Sequence, residues 1–178
     1  MIVPVGLKQL ITVFGDPGNK DCYAGEMKLP ENVIHESQDQ DAKLHFKCHK
    51  LIDPLLEQVF AEIFLNYPEY FYSFGGCYNK RPKRTKGTEM SVHSWGVAVD
   101  LNVAYNPLGS DYKKNLERFK DKTYMLEVRG VKTKTPCTNF VFTPEHPIIT
   151  AFRKNDFFWG GNFKHTPDSM HFQYCIGY

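Results

Sequence analysis

Two short stretches, far apart in the chain, hold the side chains best able to do chemistry together. The first is Ser91-Val92-His93-Ser94-Trp95-Gly96-Val97-Ala98-Val99-Asp100-Leu101-Asn102. The second runs from Trp159-Gly160-Gly161 to Asp168-Ser169-Met170-His171-Phe172. His93, Asp100 and His171 are a common ligand set for a catalytic zinc ion, which takes nitrogen and oxygen donors and keeps one position open for water. Asp168 precedes His171 by three residues, and is left to handle that water's proton. If Asp168 and His171 were both ligands, the open position would be crowded. A lone histidine followed by an aspartate on a strand is more often structural. The joint arrangement is what points to metal-assisted hydrolysis.

These residues need a scaffold, and the sequence predicts one. Gly96 permits a bend after His93; behind it Val97 and Val99 turn to a core while Ala98 and Asp100 turn to a cleft. Upstream, Lys43 to Lys50 alternates Leu44, Phe46 and Cys48 with polar residues, a half-buried strand with His45 and His49 on its polar face. On a strand those two histidines sit well apart, so no second metal site is expected. Asp53-Pro54 reads as an N-cap followed by proline at the first helical position. Leu55, Leu56, Val59, Phe60, Ile63 and Phe64 recur behind it at helical spacing, and Asn66-Tyr67-Pro68 ends the helix. Tyr70 to Phe74 is β-prone. Thr143-Pro144-Glu145 resembles another helix start, Asp156 to Trp159 a short strand, and Met170 to Cys175 a terminal strand.

Other segments are expected to surround the site. Leu7 to Phe14 suggests a short helix inside an otherwise irregular N-terminal wrap, residues 1–42. Residues 103–142 read as a polar insertion, with a charged helical piece from Tyr112 to Phe119 and a loop from Lys132 to Thr138, forming a rim or lid. The basic run Lys80-Arg81-Pro82-Lys83-Arg84-Thr85-Lys86 is by itself a solvated loop or a nucleic-acid contact; just before the metal-type motif, it also offers an anion-binding arginine.

Composition narrows the class. A chain of 178 residues with 42% apolar content supports one globular domain with a proper core. A net charge of +2 is too mild to imply a nucleic-acid partner. Cys22, Cys48, Cys77, Cys137 and Cys175 are scattered, odd in number and without a CxxC pair, so they read as small buried hydrophobes of a reducing compartment. Neither a signal peptide nor a membrane span is expected. Without a base beside them, Ser91 and Cys77 are poor candidates for a nucleophile.

SxHxxGxAxD, followed by WGG and DxxHF, resembles the D-alanyl-D-alanine peptidase family of zinc metallopeptidases, nearest its L-alanyl-D-glutamate endopeptidase and endolysin-type branch. The matching strings are SVHSWGVAVDLN, WGGNF and DSMHFQ, within a resemblance that covers about residues 43–178. It implies a single α+β domain over 1–178, with a small, mainly antiparallel sheet flanked by helices. It implies one zinc ion held by His93, Asp100 and His171, with Asp168 as the base. It also implies a catalytic or substrate-binding arginine, Arg81 or failing that Arg84, that holds the substrate or the developing negative charge, and a Ser91 hydroxyl that contacts the substrate or orients the base. Gln173 stands where relatives often carry an acid. The implied activity is hydrolysis of peptidoglycan stem peptides at the bacterial wall, as an endopeptidase or a D,D-carboxypeptidase of bacterial or phage-lysin type. The same fold in the Hedgehog signalling domain implies the alternative of an inactive zinc-containing recognition module. Trp95 and Trp159 are expected to brace the site walls, and His165 to lie on a surface loop.

Overall fold

Asp100 sits on the middle strand of a five-stranded sheet, and the rest of the chain is arranged around that strand. The computed structural model describes residues 1–29, 33–35, 45–84 and 87–178. In chain order the elements are α1 (Gly6–Phe14), β1 (Gly25–Lys28), β2 (Ile34–His35), β3 (His45–Cys48), α2 (Asp53–Asn66), β4 (Ser73–Gly76) and β5 (Ala98–Leu101). They continue with α3 (Tyr112–Phe119), β6 (Thr123–Val128), β7 (Val131–Pro136), α4 (Pro147–Lys154), β8 (Phe158–Trp159) and β9 (His171–Gln173). The central sheet has the order β2-β4-β5-β9-β8. Only its β2–β4 pair is parallel; the other pairs are antiparallel. The architecture is α+β, one compact domain, as the sequence predicts.

The helix read behind Asp53-Pro54 is α2. Leu56, Val59, Phe60 and Ile63 are fully buried along one face. Phe60 meets Phe46, Phe71, Phe74 and Phe152 edge-on at centroid distances of 5.9–6.4 Å, contacts that add to plain burial. Truncating Phe60 to Ala would cost about 3–5 kcal/mol. The expected cap is displaced by one residue: Ile52 occupies the N-cap without a side-chain bond. Asp53 instead accepts a bond from Cys48 Sγ at 3.3 Å. Similarly, α4 begins after Thr143-Pro144-Glu145. His146 is its cap and accepts from the Ile148 amide, with Pro147 in the first turn. Pro144 and Pro147 both suit a first helical position, and burial of Ile148, Ile149 and Phe152 selects the later one.

Three expectations need correction. The N-terminal segment is less irregular than expected: besides α1, with Leu10 and Phe14 buried, it contributes β1, which pairs with β3 in a small separate sheet. Residues 30–32 and 36–44, Leu44 among them, lie outside the described residues. His49 is not on a polar face but 1% exposed, just past the end of β3. Lys132 to Thr138 is mostly strand. It falls in β7, which pairs with β6 from Val128–Val131 to Thr123–Pro136. Strand β7 is polar and largely exposed on both faces, so no burial pattern announces it. Its signal is the two-residue turn Arg129-Gly130, both at positive φ, as a tight hairpin demands.

The hairpin and α3 pack with the rest of their segment. They enclose a second apolar cluster of Tyr105, Phe119, Leu126, Phe140 and Val141. Of residues 103–142, Val103 and Leu108 line the cleft described below. All five cysteines are buried and free.

Candidate active site

His93 lies in a 3-10 turn, Val92–Trp95, that ends at Gly96 in the left-handed conformation with φ 63°. A Cβ at Gly96 would also stand 2.1 Å from the Cys22 carbonyl oxygen, so this bend admits no other residue. The turn is braced from outside: Trp95 Nε1 donates to the Gly15 carbonyl at 2.8 Å, and the Gly18 amide to that of Ser94 at 2.8 Å. After the bend β5 delivers Asp100, which faces His171 directly across the antiparallel β5–β9 pair. Trp159 Nε1 donates to the Ser169 carbonyl at 2.8 Å and ties down the loop before His171.

The three side chains converge. His93 Nε2 is 3.2 Å from His171 Nδ1 and 3.3 Å from Asp100 Oδ2; His171 Nδ1 is 3.0 Å from Asp100 Oδ1. Tetrahedral ligands at zinc bond lengths of 2.0–2.1 Å would lie about 3.3 Å apart, so the spacing suits a shared ion. The far nitrogens are already used. His93 Nδ1 is 2.6 Å from the Cys77 carbonyl oxygen, which can only accept, so this nitrogen carries the proton. His171 Nε2 is 2.9 Å from Gln173 Oε1. The lone pair of His93 Nε2 is thus turned to the point that Asp100 and His171 Nδ1 also face, a cluster of donors that could hold a cation. Among the described residues this is the one group able to hold a metal ion, and its N, N, O donor set fits zinc.

Burial by itself would raise the pKa of the Asp100 carboxyl, but the imidazoles of His93 and His171 outweigh it and hold the group well below the usual range. Asp168 goes the other way. Burial raises its carboxyl, the Asp100 charge adds to the rise, and His171, His93 and Arg84 oppose it. Its Oδ1 is buried with no hydrogen-bond partner, a costly state for a carboxylate. The loop carrying Asp168 is held against Gly160, whose carbonyl accepts from the Asp168 amide at 2.9 Å.

These groups open on a cleft of about 770 Å³ that also takes in Ser91, Arg81, Arg84, Asn162, Phe163, Lys164, His165 and Tyr178. Arg81 is fixed through its backbone: its amide donates to Ser94 Oγ at 3.0 Å and its carbonyl accepts from the Ser91 amide at 2.9 Å. Its guanidinium donates to the Pro82 carbonyl. Arg84 is the arginine whose charge acts on Asp168. Exposed His165 lines the cleft beside Lys164. The Cys77 thiol is pushed well up by burial and donates to the Gly96 carbonyl at 3.4 Å, which leaves no thiolate for catalysis.

Sequence reasoning assigned Gln173 no role, yet it touches His171. It also missed the Cys77 carbonyl, which no residue type can announce. Phe163 and Lys164 directly follow the WGGN string, the one signal that could have placed them on the cleft wall.

Two imidazoles and a carboxylate within 3.0–3.3 Å of one another form a cluster that could hold a metal ion, beside a buried unpartnered carboxylate. The chain belongs to the D-alanyl-D-alanine carboxypeptidase family, whose model matches residues 84–174, just over half of its length. That family consists of zinc peptidases, and the match spans both motifs and includes Arg84 but not Arg81. No curated protein and no solved structure gives a significant match. No helix among the described residues is long and apolar enough to cross a membrane.

Proposed function

We propose that this protein is a zinc-dependent peptidase that cuts peptidoglycan stem peptides, as an endopeptidase or a D,D-carboxypeptidase, with residues 1–178 working as one domain. The observation that supports this best is the convergence of His93 Nε2, His171 Nδ1 and Asp100 within 3.0–3.3 Å of one another. These three residues would hold one zinc ion, which when bound supplies a Lewis acid able to bring the pKa of water towards about 7. Asp168 takes the proton of the attacking water at its carboxylate and returns it to the departing amine. Its raised pKa suits both halves of that exchange. Arg81 and Arg84 face the same cleft, where a guanidinium can grip a free carboxylate of a stem peptide in a fork. The Ser91 hydroxyl contacts the bound peptide. A zinc-holding recognition module would have no use for the buried, unpartnered Oδ1 of Asp168, so the enzyme reading is preferred over it.

The test is mass spectrometry of muropeptides after digestion of purified peptidoglycan. The expected result is peptide-bond cleavage that a chelator abolishes and zinc restores. Asp168→Ala should keep zinc but lose activity by about 10²–10⁴-fold. Full activity in that variant, or an intact wall after incubation with the zinc-loaded native protein, would sink the proposal.

A further inference from the structure

We propose that Gln173 is the positioning residue that decides which nitrogen of His171 is offered to the metal, an inference that rests on the zinc site proposed above. The orientation of its amide follows from its neighbours. The Cys175 carbonyl oxygen lies 3.0 Å from Gln173 Nε2 and can only accept, so the NH₂ end must face it. The Oε1 end is then turned to His171 Nε2 at 2.9 Å. As Oε1 also can only accept, His171 Nε2 carries a proton, so that when zinc is bound the lone pair offered to it is that of Nδ1, the atom that faces Asp100 and His93. The pairing is shielded from water, since Gln173 is 1% and His171 6% exposed. It is also built into the sheet. His171 and Gln173 are two apart on β9 and share a face, opposite Asp100 and Ala98. The small Ala98 side chain leaves room for the amide.

His93 reaches the opposite tautomer by another route, a backbone carbonyl on Nδ1. The two imidazoles thus present different nitrogens to one point, and at His171 that choice depends on a side chain. An amide does this without adding a third carboxylate beside Asp100 and Asp168. Partners of this kind are typically worth about 10–100-fold in metal affinity.

Zinc affinity by chelator competition, together with long-range proton–nitrogen correlation spectra of the zinc-loaded protein, tests the inference. The native protein should show the His171 proton on Nε2. Gln173→Leu should bind zinc roughly 10–100-fold more weakly. Gln173→Glu keeps an acceptor for His171 but cannot donate to the Cys175 carbonyl, and should hold zinc within a few-fold of native. A proton on Nδ1 in the native protein overturns the inference, and that spectrum needs no variant to fold. Native-like affinity in the Leu variant overturns it too. So does equal weakening of Glu and Leu, which would make Gln173 only a brace for the strand. If the native protein takes up no zinc at all, the proposed metal site itself is wrong.

Discussion

Four histidines are buried among the described residues, and they divide into two pairs with opposite uses. His49 and His146 stand at the entrances of α2 and α4, and each spends both ring nitrogens on backbone. His49 Nδ1 accepts from the Leu51 amide and its Nε2 meets the Phe14 carbonyl. His146 does the same with the Ile148 amide and the Asn139 carbonyl. Burial lowers the pKa of both, that of His146 to about 4. His93 and His171, on the cleft floor, spend only one nitrogen each and turn the other towards Asp100. Burial would lower the pKa of His171 as well, but the Asp100 carboxylate outweighs it and raises that pKa. A buried histidine with both nitrogens satisfied is a helix-entry brace. One with a nitrogen turned to a carboxylate could share a cation with it.

The largest effect is expected at the cleft. His93→Ala should weaken zinc binding by about 10³-fold, on the order of 4 kcal/mol, as measured by chelator competition. Unchanged affinity would remove the distinction between the pairs. Next comes the residue that links them, for Gly96 donates from its amide to the His93 carbonyl and accepts from the His49 amide at its own. Gly96→Ala must adopt φ near 63° and press on the Cys22 carbonyl, so denaturant melts should show a loss on the order of 3 kcal/mol or more.

The helix-entry pair predicts a pH effect. His146 stays neutral in the folded protein down to about pH 4, whereas in the unfolded chain it takes a proton below about pH 6.5. Between these values the unfolded state binds more protons, so stability falls as pH falls. The loss from pH 6.5 to 4 should reach about 3 kcal/mol. His146→Asn keeps a capping acceptor and should flatten that slope in melts followed across this range; an unchanged slope would mean that His146 is not the group responsible. The smallest effect is expected from His49→Asn, which should leave zinc affinity within about two-fold of native, well under 1 kcal/mol. A larger drop would show that the two pairs are coupled through Gly96.

Much of the fold is visible in local patterns, because α2, the β5 run and the terminal strand each bury a regular set of residues. Segments whose order comes from elsewhere are not visible. Strand β7 exposes both faces and exists because β6 pairs with it. The start of α4 depends on which of two prolines lets Ile148 and Ile149 reach the core. The N-terminal segment looks irregular by composition, yet its Gly15 and Gly18 brace the turn that carries His93.

The histidine, aspartate and histidine, their order, and the glycine bend between His93 and Asp100 are legible in the chain alone, since these are properties of residue identity and short spacing. How they meet is a matter of the folded arrangement. The β5–β9 register sets Asp100 opposite His171 across 71 positions of chain, a choice made by strand pairing and core burial rather than by any local preference. The tautomers were decided there too. They depend on the Cys77 carbonyl, which every residue possesses, and on the Gln173 amide, whose orientation is imposed by the Cys175 carbonyl beyond it.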